Sequence, residues 1–376
     1  MDDYIYMDNA ATTKMCDGAI KEMMPYMKEY YANISSSYSF AKKCERKIEE
    51  CRQQLADTIG AKSSEIIFNS GGTEGDNQAI GLIRGEGKRI LVSIIEHKAV
   101  LKSCNKAKER GINIDYIPVD EEGYVDMDYI KGHAPDANMI SVMLANNEVG
   151  VIEPVKEISA VKGGAILHCD AVAAYGHIPI NVREMGIDIM NVSAHKFGGP
   201  KGTGFMYVKE GIDFAPMLVG GGQERLRRAG TVNTMSIAGM CRAATESIKN
   251  MQTRMEYERA LRDIFIRKII QDTDGVMING GLKKRLSGNI NVSFAGIDSV
   301  ALIAFLDDHG ICVSRASACD SNKESASHVL SAMKLSEERI RGSIRITLNY
   351  ENTITQVMYV ATTIKEGVER LRKMQS

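Results

Sequence analysis

The sequence predicts an α/β fold, with a mainly parallel sheet flanked by helices and a smaller α+β part after it. Three observations predict it. Apolar β-type runs alternate with helix-length stretches between residues 65 and 208, the pattern of βαβ units and a parallel sheet. With 34 Gly against 7 Pro, turns are made by glycine. Beyond a long charged helical stretch from Asn233 to about Gln271, the pattern changes to short strands.

Taken in order, Glu65 to Asn69 reads as a strand, then a glycine turn, then a helix from about Glu74. Arg89 to Ile95 is a buried strand, followed by a helical stretch to about Arg110. Further strand candidates are Ile112 to Pro118, Met139 to Ala145, Ala165 to Ala171, Asp188 to Ser193 and Gly204 to Val208. In the last part, Val276 to Asn279, Asn289 to Phe294, Ile311 to Ser314 and Ser343 to Leu348 read as short strands. A helix is expected from Asp298 to His309, and a closing helix from about Thr353 to Met374. The N-terminal arm is expected to pack against this last part.

Composition limits the function classes. The 376 residues carry 47 Lys plus Arg and 48 Asp plus Glu, a net charge of −1. Such a balance gives no global field for nucleic acid or an anionic membrane. The eight Cys, at 16, 44, 51, 104, 169, 241, 312 and 319, form no C-x-x-C pair and no zinc spacing. Free thiols in a reducing compartment, no metal and a cytoplasmic location are the expectations. The acidic start leads into no long apolar stretch, and the longest clean apolar run is Val300 to Leu306, far short of a membrane span.

In parallel sheets the ligand site lies at the carboxyl ends of the strands, so polar residues after apolar runs are the candidates. Ser70-Gly71-Gly72-Thr73-Glu74 follows a strand and opens a helix. It is either a capped glycine turn or an anion cradle built from backbone N–H groups and a helix dipole. Glu96-His97-Lys98 and Asn146-Asn147-Glu148 also follow strands and, alone, read as surface and turn residues. Asp170 sits inside an apolar run. A buried carboxylate needs a cationic partner, and a protonated heterocyclic nitrogen or a structural arginine meets that need. Lys196, in Ser193-Ala194-His195-Lys196 before a glycine turn, is either a solvated lysine or a desolvated amine suited to Schiff-base chemistry. Cys319 borders the polar stretch Asp320 to Ser325, the kind of exposed setting that distinguishes a reactive thiol from a structural one.

Together and in order, these clusters resemble the cysteine desulfurases, the NifS/IscS-like branch of the class V aminotransferases. The matches are Tyr6 to Thr13, Glu96 to Leu101, Asn146-Asn147-Glu148, His195-Lys196, Gly220 to Glu224, Arg228 to Thr231, Gly288 to Asn291, Ser317-Ala318-Cys319 and Ser343-Ile344-Arg345. The resemblance implies a fold-type I homodimer that uses pyridoxal 5′-phosphate (PLP). Its large domain, residues 14–255, would hold a mainly parallel seven-stranded sheet. Its small domain, residues 1–13 and 256–376, would carry the cysteine loop. The resemblance makes Lys196 the Schiff-base lysine, Asp170 the partner of the pyridinium nitrogen and His97 the residue stacked on the ring. Gly72, Thr73, Ser193 and His195 become phosphate ligands, joined by the partner subunit's Thr231. Asn147 becomes a cofactor and substrate contact, Arg345 the fork for the substrate carboxylate, and Cys319 the nucleophile. The implied reaction removes sulfur from L-cysteine, giving L-alanine and a Cys319 persulfide for an acceptor protein in iron–sulfur assembly or thiolation. Neither nucleic acid nor membrane is required. Two alternatives stay open: a selenocysteine lyase or other class V enzyme with the same cofactor, and a PLP-holding sulfur-relay scaffold with little turnover alone.

The chain departs from that pattern near the implied site. Tyr38 stands where the family has His, and Ala173 where it has a Gln that bonds the cofactor's ring hydroxyl. Asp320 follows the cysteine in place of Thr, a carboxylate that raises a neighbouring thiol's pKa. Asn349-Tyr350 replaces Gly-Arg.

Overall fold

The computed structural model describes residues 4–315 and 326–374. After a short strand, β1 (Ile5–Tyr6), the chain builds seven strands: β2 (Ile66–Asn69), β3 (Arg89–Ser93), β4 (Asn113–Ile117), β5 (Met139–Ser141), β6 (Ile166–Asp170), β7 (Ile189–Ser193) and β8 (Gly204–Val208). Their helices are α1 (Asp17–Lys28), α2 (Ser39–Asp57), α3 (Gly72–Gly81), α4 (Lys98–Lys108), α5 (Met127–His133) and α6 (Val155–Val161). The sheet order is β2-β8-β7-β6-β5-β3-β4. The pairs from β7 through to β4 are parallel, while β8 runs antiparallel to both β7 and β2. The link from β7 to β8 contains only one 3₁₀ turn and a glycine turn. Without a crossover helix, such a short link reverses the chain. Every residue of β5, β7 and β8 is buried, which explains their nearly unbroken apolar runs.

The expected Met139 to Ala145 strand is shorter than its apolar run. It ends at Ser141, after which the chain leaves β3 but stays with β6, through Val142 N to His168 O and Leu144 N to Asp170 O. The expected single helix from Asn233 is two, α7 (Thr234–Lys249) and α8 (Met251–Asp272). Asn250 leaves helical geometry (φ −104°, ψ 6°), and its side chain donates to the Glu246 carbonyl. Asparagine competes with the helix in this way. The break gives each core its own helix. Ile237 and Met240 of α7 join the core around the seven-stranded sheet, whereas Leu261, Phe265 and Ile269 of α8 join the second core.

That second core lies under a four-stranded antiparallel sheet of β9 (Val276–Ile278), β10 (Asn289–Phe294), β12 (Ser314–Arg315) and β13 (Ser343–Thr347), in the order β12-β13-β10-β9. Strand β11 (Ile311–Cys312) pairs parallel with β1, so the N-terminal arm is tied to this part. Met7 is fully buried there with Ile290, Ile346 and Val360. Helices α9 (Ser299–Asp307), α10 (His328–Ala332), α11 (Glu337–Arg341) and α12 (Ile354–Lys373) complete it. Helix α12 opens with a capping box between Thr353 and Gln356. Among the described residues no helix is long and apolar enough to cross a membrane, and the seven described cysteines are free.

Candidate active site

The carboxyl ends of β2, β3, β5, β6 and β7 deliver their following residues to one place. Gly72, Thr73, His97, Asn147, Asp170, Ser193, His195 and Lys196 line a single crevice of about 270 Å³, and Arg345 of β13 reaches it from the smaller sheet.

One end suits an anion. Helix α3 has Gly71 at its N-cap and no side-chain cap, leaving its first N–H groups to the crevice. Gly71 has φ +130°, and a Cβ there would sit 3.0 Å from Ser193 Oγ. A Cβ on Gly72 would sit 2.5 Å from Val172 Cγ2. These glycines therefore let the backbone approach where a side chain would block it. Ser70, Thr73, Ser193, His195 and Lys201 border a more open hollow beside them.

Lys196 ends the 3₁₀ turn that follows β7. Gly198 (φ +86°) then turns the chain so that Gly199 N bonds Ala194 O. The N-terminal arm lies across the lysine, whose Nζ donates to Ala10 O at 2.5 Å and Ala11 O at 2.9 Å. Thr12 Oγ1 is 3.1 Å from His195 Nδ1. Burial, helped by the charges of Lys196 and Lys201, pulls His195 down to about 4, so its ring is neutral at pH 7.

Next to the anion end the crevice wall is acidic and buried. Asp170 accepts the Val172 N–H at 2.8 Å. Burial raises its pKa against the attraction of His97, the Val172 N–H and Lys196. His97 caps α4 through Nδ1, which accepts the Ala99 N–H at 3.2 Å and fixes the ring. Asp76, on the buried side of α3, is pushed well above the usual carboxylate range by burial and by Asp170. One side-chain atom from each of Asp76, His97 and Asp170 lies within 4.8 Å of the others. Behind them runs a buried chain in which Ser141 Oγ meets His168 Nδ1 at 2.8 Å, His168 Nε2 meets Asn191 Nδ2 at 2.8 Å, and Asn191 donates to Asp76 at 2.9 Å. Burial takes His168 down to about 3, so this chain is neutral at its centre.

Arg345 is 1 % exposed. Its Nη1 donates to Asn147 O at 3.1 Å and its Nη2 to Asp8 at 2.8 Å, while Nε is buried with no partner. A buried guanidinium with an unused N–H needs an acceptor. The donor set thus fits a flat molecule with an anion at the α3 end, a protonatable ring nitrogen over Asp170, and a carboxylate near Arg345.

Thr231 is exposed and does not line the crevice. Cys319 and Asp320 lie outside the described residues. Sequence reasoning gave no role to Asp76, nor to Asp8 and Thr12 inside the matching Tyr6 to Thr13 stretch. Asp76 had one legible signal, an acidic residue on the apolar side of a helix between Gly75 and Ile80, whereas Asp8 and Thr12 act only through the path of the N-terminal arm. Asn146 proves to be the turn-maker, its Oδ1 accepting the Glu148 and Val149 N–H groups, which leaves Asn147 at the crevice.

This is the architecture of an α/β enzyme with a lysine-bearing anion crevice at the carboxyl ends of its sheet. Residues 5–360 match the aminotransferase class-V family model. The chain is 42% identical to a cysteine desulfurase IscS of Dictyoglomus turgidum, covering 98% of this chain and 95% of that one. It is 40% identical to a cysteine desulfurase IscS of Methanosarcina thermophila, covering 98% and 93%. A solved NifS-like protein superposes with a TM-score of 0.92 at 32% identity, covering 98% of this chain and all of the other. SspA, solved in complex with cysteine, superposes with a TM-score of 0.81 at 30% identity, covering 91% and 98%. The chain belongs to the class V aminotransferase family, in its NifS/IscS-like cysteine desulfurase branch.

Proposed function

We propose that the chain is a PLP-dependent cysteine desulfurase. It takes sulfur from L-cysteine, releases L-alanine, and leaves a persulfide on Cys319 for an acceptor protein in iron–sulfur assembly or thiolation. The observation that supports this most is the convergence of Lys196, Asp170, His97 and Arg345 on one crevice. The names of the relatives and the cysteine held by SspA agree with the substrate. The enzyme works as a cytoplasmic homodimer, divided into residues 14–255 and residues 1–13 with 256–376.

The α3 N-terminus with Gly72, Thr73, Ser193 and His195 would hold the PLP phosphate, joined by the partner subunit's Thr231. Asp170 would hold the protonated ring nitrogen of the bound cofactor, and His97 would pack against its ring. When bound, PLP supplies an electron sink for the substrate's α-carbon. Arg345, oriented by Asp8 and the Asn147 carbonyl, binds the substrate carboxylate. Asn147 flanks both cofactor and substrate. Lys196 anchors the cofactor and moves the α-proton, and Cys319 takes the sulfur.

Two variants test this. Borohydride reduction of wild-type holoprotein should fix the cofactor on the Lys196 peptide, and Lys196→Ala should carry neither that adduct nor the visible colour. Cys319→Ser should keep the colour but form no persulfide. Full sulfide release by Cys319→Ser would overturn Cys319 as the sulfur acceptor.

A further inference from the structure

Lys196 borders three hollows. The first is the crevice already described. The second is a rear chamber of about 50 Å³ bounded by Asn147, Ala173, His177, Glu258, Ser287 and Leu348, among others. The third, the outer hollow, holds about 30 Å³ and lies beside Arg254, Tyr350 and Glu351. Crevice and rear chamber meet at Ala10, Asn147, Ala173 and Lys196. Rear chamber and outer hollow meet at His177, Glu258 and Lys196. Ala173 offers only a methyl group at the first junction, where a longer side chain would stand between crevice and chamber.

The rear chamber is polar in an unfinished way. Ser287 is 3 % exposed, and its Oγ is buried with no partner. Glu258, on α8, is 5 % exposed, and among the described residues no hydrogen bond reaches its carboxyl group. Buried polar groups left without protein partners are satisfied by water, and this space exceeds the roughly 10–15 Å³ that one water needs. Arg254, one turn earlier on the same helix, stacks over Tyr350 with its guanidinium carbon 3.8 Å from the ring centre. His177 Nε2 is 3.0 Å from the Lys196 carbonyl oxygen, and burial holds its ring below the ordinary histidine range.

We propose that Glu258 is the proton reservoir of Lys196, exchanging a proton with its amine through water in the rear chamber. The Glu258 O–H bond breaks, the proton passes along the water, and an N–H bond forms on Lys196. A carboxylate and an ammonium result, and the reverse step restores both neutral groups. Glu258 acts through Lys196, so it is a positioning residue. The inference rests on the reading of Lys196 as the group that moves the α-proton.

Burial pushes the Glu258 carboxyl up to about 8 against the attraction of Arg254, so it carries its proton at neutral pH. The other ionisable groups around it are His177 and Lys196 on the chamber walls, with Lys14, Tyr350 and Glu351 at the outer hollow.

The test is turnover against pH in the PLP-loaded enzyme, with exchange of the L-alanine α-hydrogen in heavy water and the visible absorbance as independent readouts. Wild-type kcat and α-hydrogen exchange should fall as pH rises through about 8, where the reservoir loses its proton. Glu258→Gln should lower kcat and exchange at neutral pH by about tenfold, the low side of acid–base effects. It should leave KM unchanged and abolish that pH limb. Glu258→Asp should restore the limb, and Ala173→Leu, which plugs the junction, should lose it with Glu258 intact. A Glu258→Gln enzyme with wild-type kcat, exchange and pH limb would overturn the reservoir. If that variant is coloured, the failure belongs to Glu258 alone; a colourless wild type would instead bring down the PLP reading.

Discussion

Two buried aspartates mark opposite ends of the same sheet. Asp188 sits at the amino end of β7, where Lys162 Nζ at 2.5 Å, Lys209 Nζ at 3.0 Å and the Leu167 N–H at 3.0 Å all reach it. Burial alone would raise its pKa, but those three partners outweigh burial and hold it below the ordinary carboxylate range. Asp170 sits at the carboxyl end of β6, where it accepts the Val172 N–H and has a raised pKa caused first by burial. The same carboxylate is saturated at one end and left short at the other. The pattern extends further. Arg52 and Glu224 form a two-pronged buried pair at 2.7 and 2.8 Å, with Glu224 also accepting the Phe68 N–H. Around the crevice, Glu96 Oε2 and Arg345 Nε are buried without partners. Asp188 and Glu224 are saturated where they hold the fold, whereas Asp170 and Arg345, which line the crevice, keep bonding capacity unused; Glu153, away from the crevice, also keeps one carboxylate oxygen unpartnered.

The sharpest way to break this contrast is to neutralise the short-handed aspartate. Asp170→Asn should cost on the order of a thousandfold in turnover and change the visible spectrum of bound PLP, with little loss of folding stability. Steady-state kinetics and absorbance check it, and near-normal turnover would place Asp170 among the structural residues. The next largest effect belongs to the saturated class. Arg52→Ala strands Glu224 beside a stretch where Glu224, Arg225 and Leu226 all have positive φ (48°, 58° and 65°). It should lower stability by about 3–5 kcal/mol, read from the shift in urea midpoint. A loss below about 1 kcal/mol would mean that water replaces the pair.

The sequence made the saturated and short-handed positions look alike. Asp170, Lys196 and His97 were legible because each is polar and follows an apolar run, and a parallel sheet brings such positions together. The strand ladder was legible for the same reason, since β5, β7 and β8 are apolar on both faces. What stayed hidden depends on distant chain segments. Lys162, Lys209 and Leu167 meet Asp188 only after β6, β7 and β8 pair. Asp8 reaches Arg345 only because Met7 anchors the arm in the second core. The division of the Asn233 stretch into α7 and α8 was hidden differently: one asparagine inside a charged helical pattern carries too little local signal, and the requirement to serve two cores decided it.

The two smaller predictions have opposite signs. Asp188→Asn removes a carboxylate whose folded pKa is depressed. The stability it provides is present above the unfolded value of about 3.9 and is lost as pH falls through the folded pKa. The variant should be weaker by about 1–3 kcal/mol at pH 7, with the gap closing in acid. Asp76→Asn should do the reverse in the cofactor-free protein. Burial and the Asp170 charge raise the folded pKa of Asp76, so the folded state holds a proton that the unfolded chain releases above about 3.9. Stability therefore drains away as pH rises through that window, and an amide, which has no proton to lose, escapes the loss. Asp76→Asn should match wild type near pH 4 and exceed it near pH 7.5 by about 0.5–1 kcal/mol, read from urea midpoints at both values. If it is weaker than wild type at pH 7.5, Asp76 is an ionised, well-paired carboxylate like Asp188, and the contrast between the two ends of the sheet does not hold.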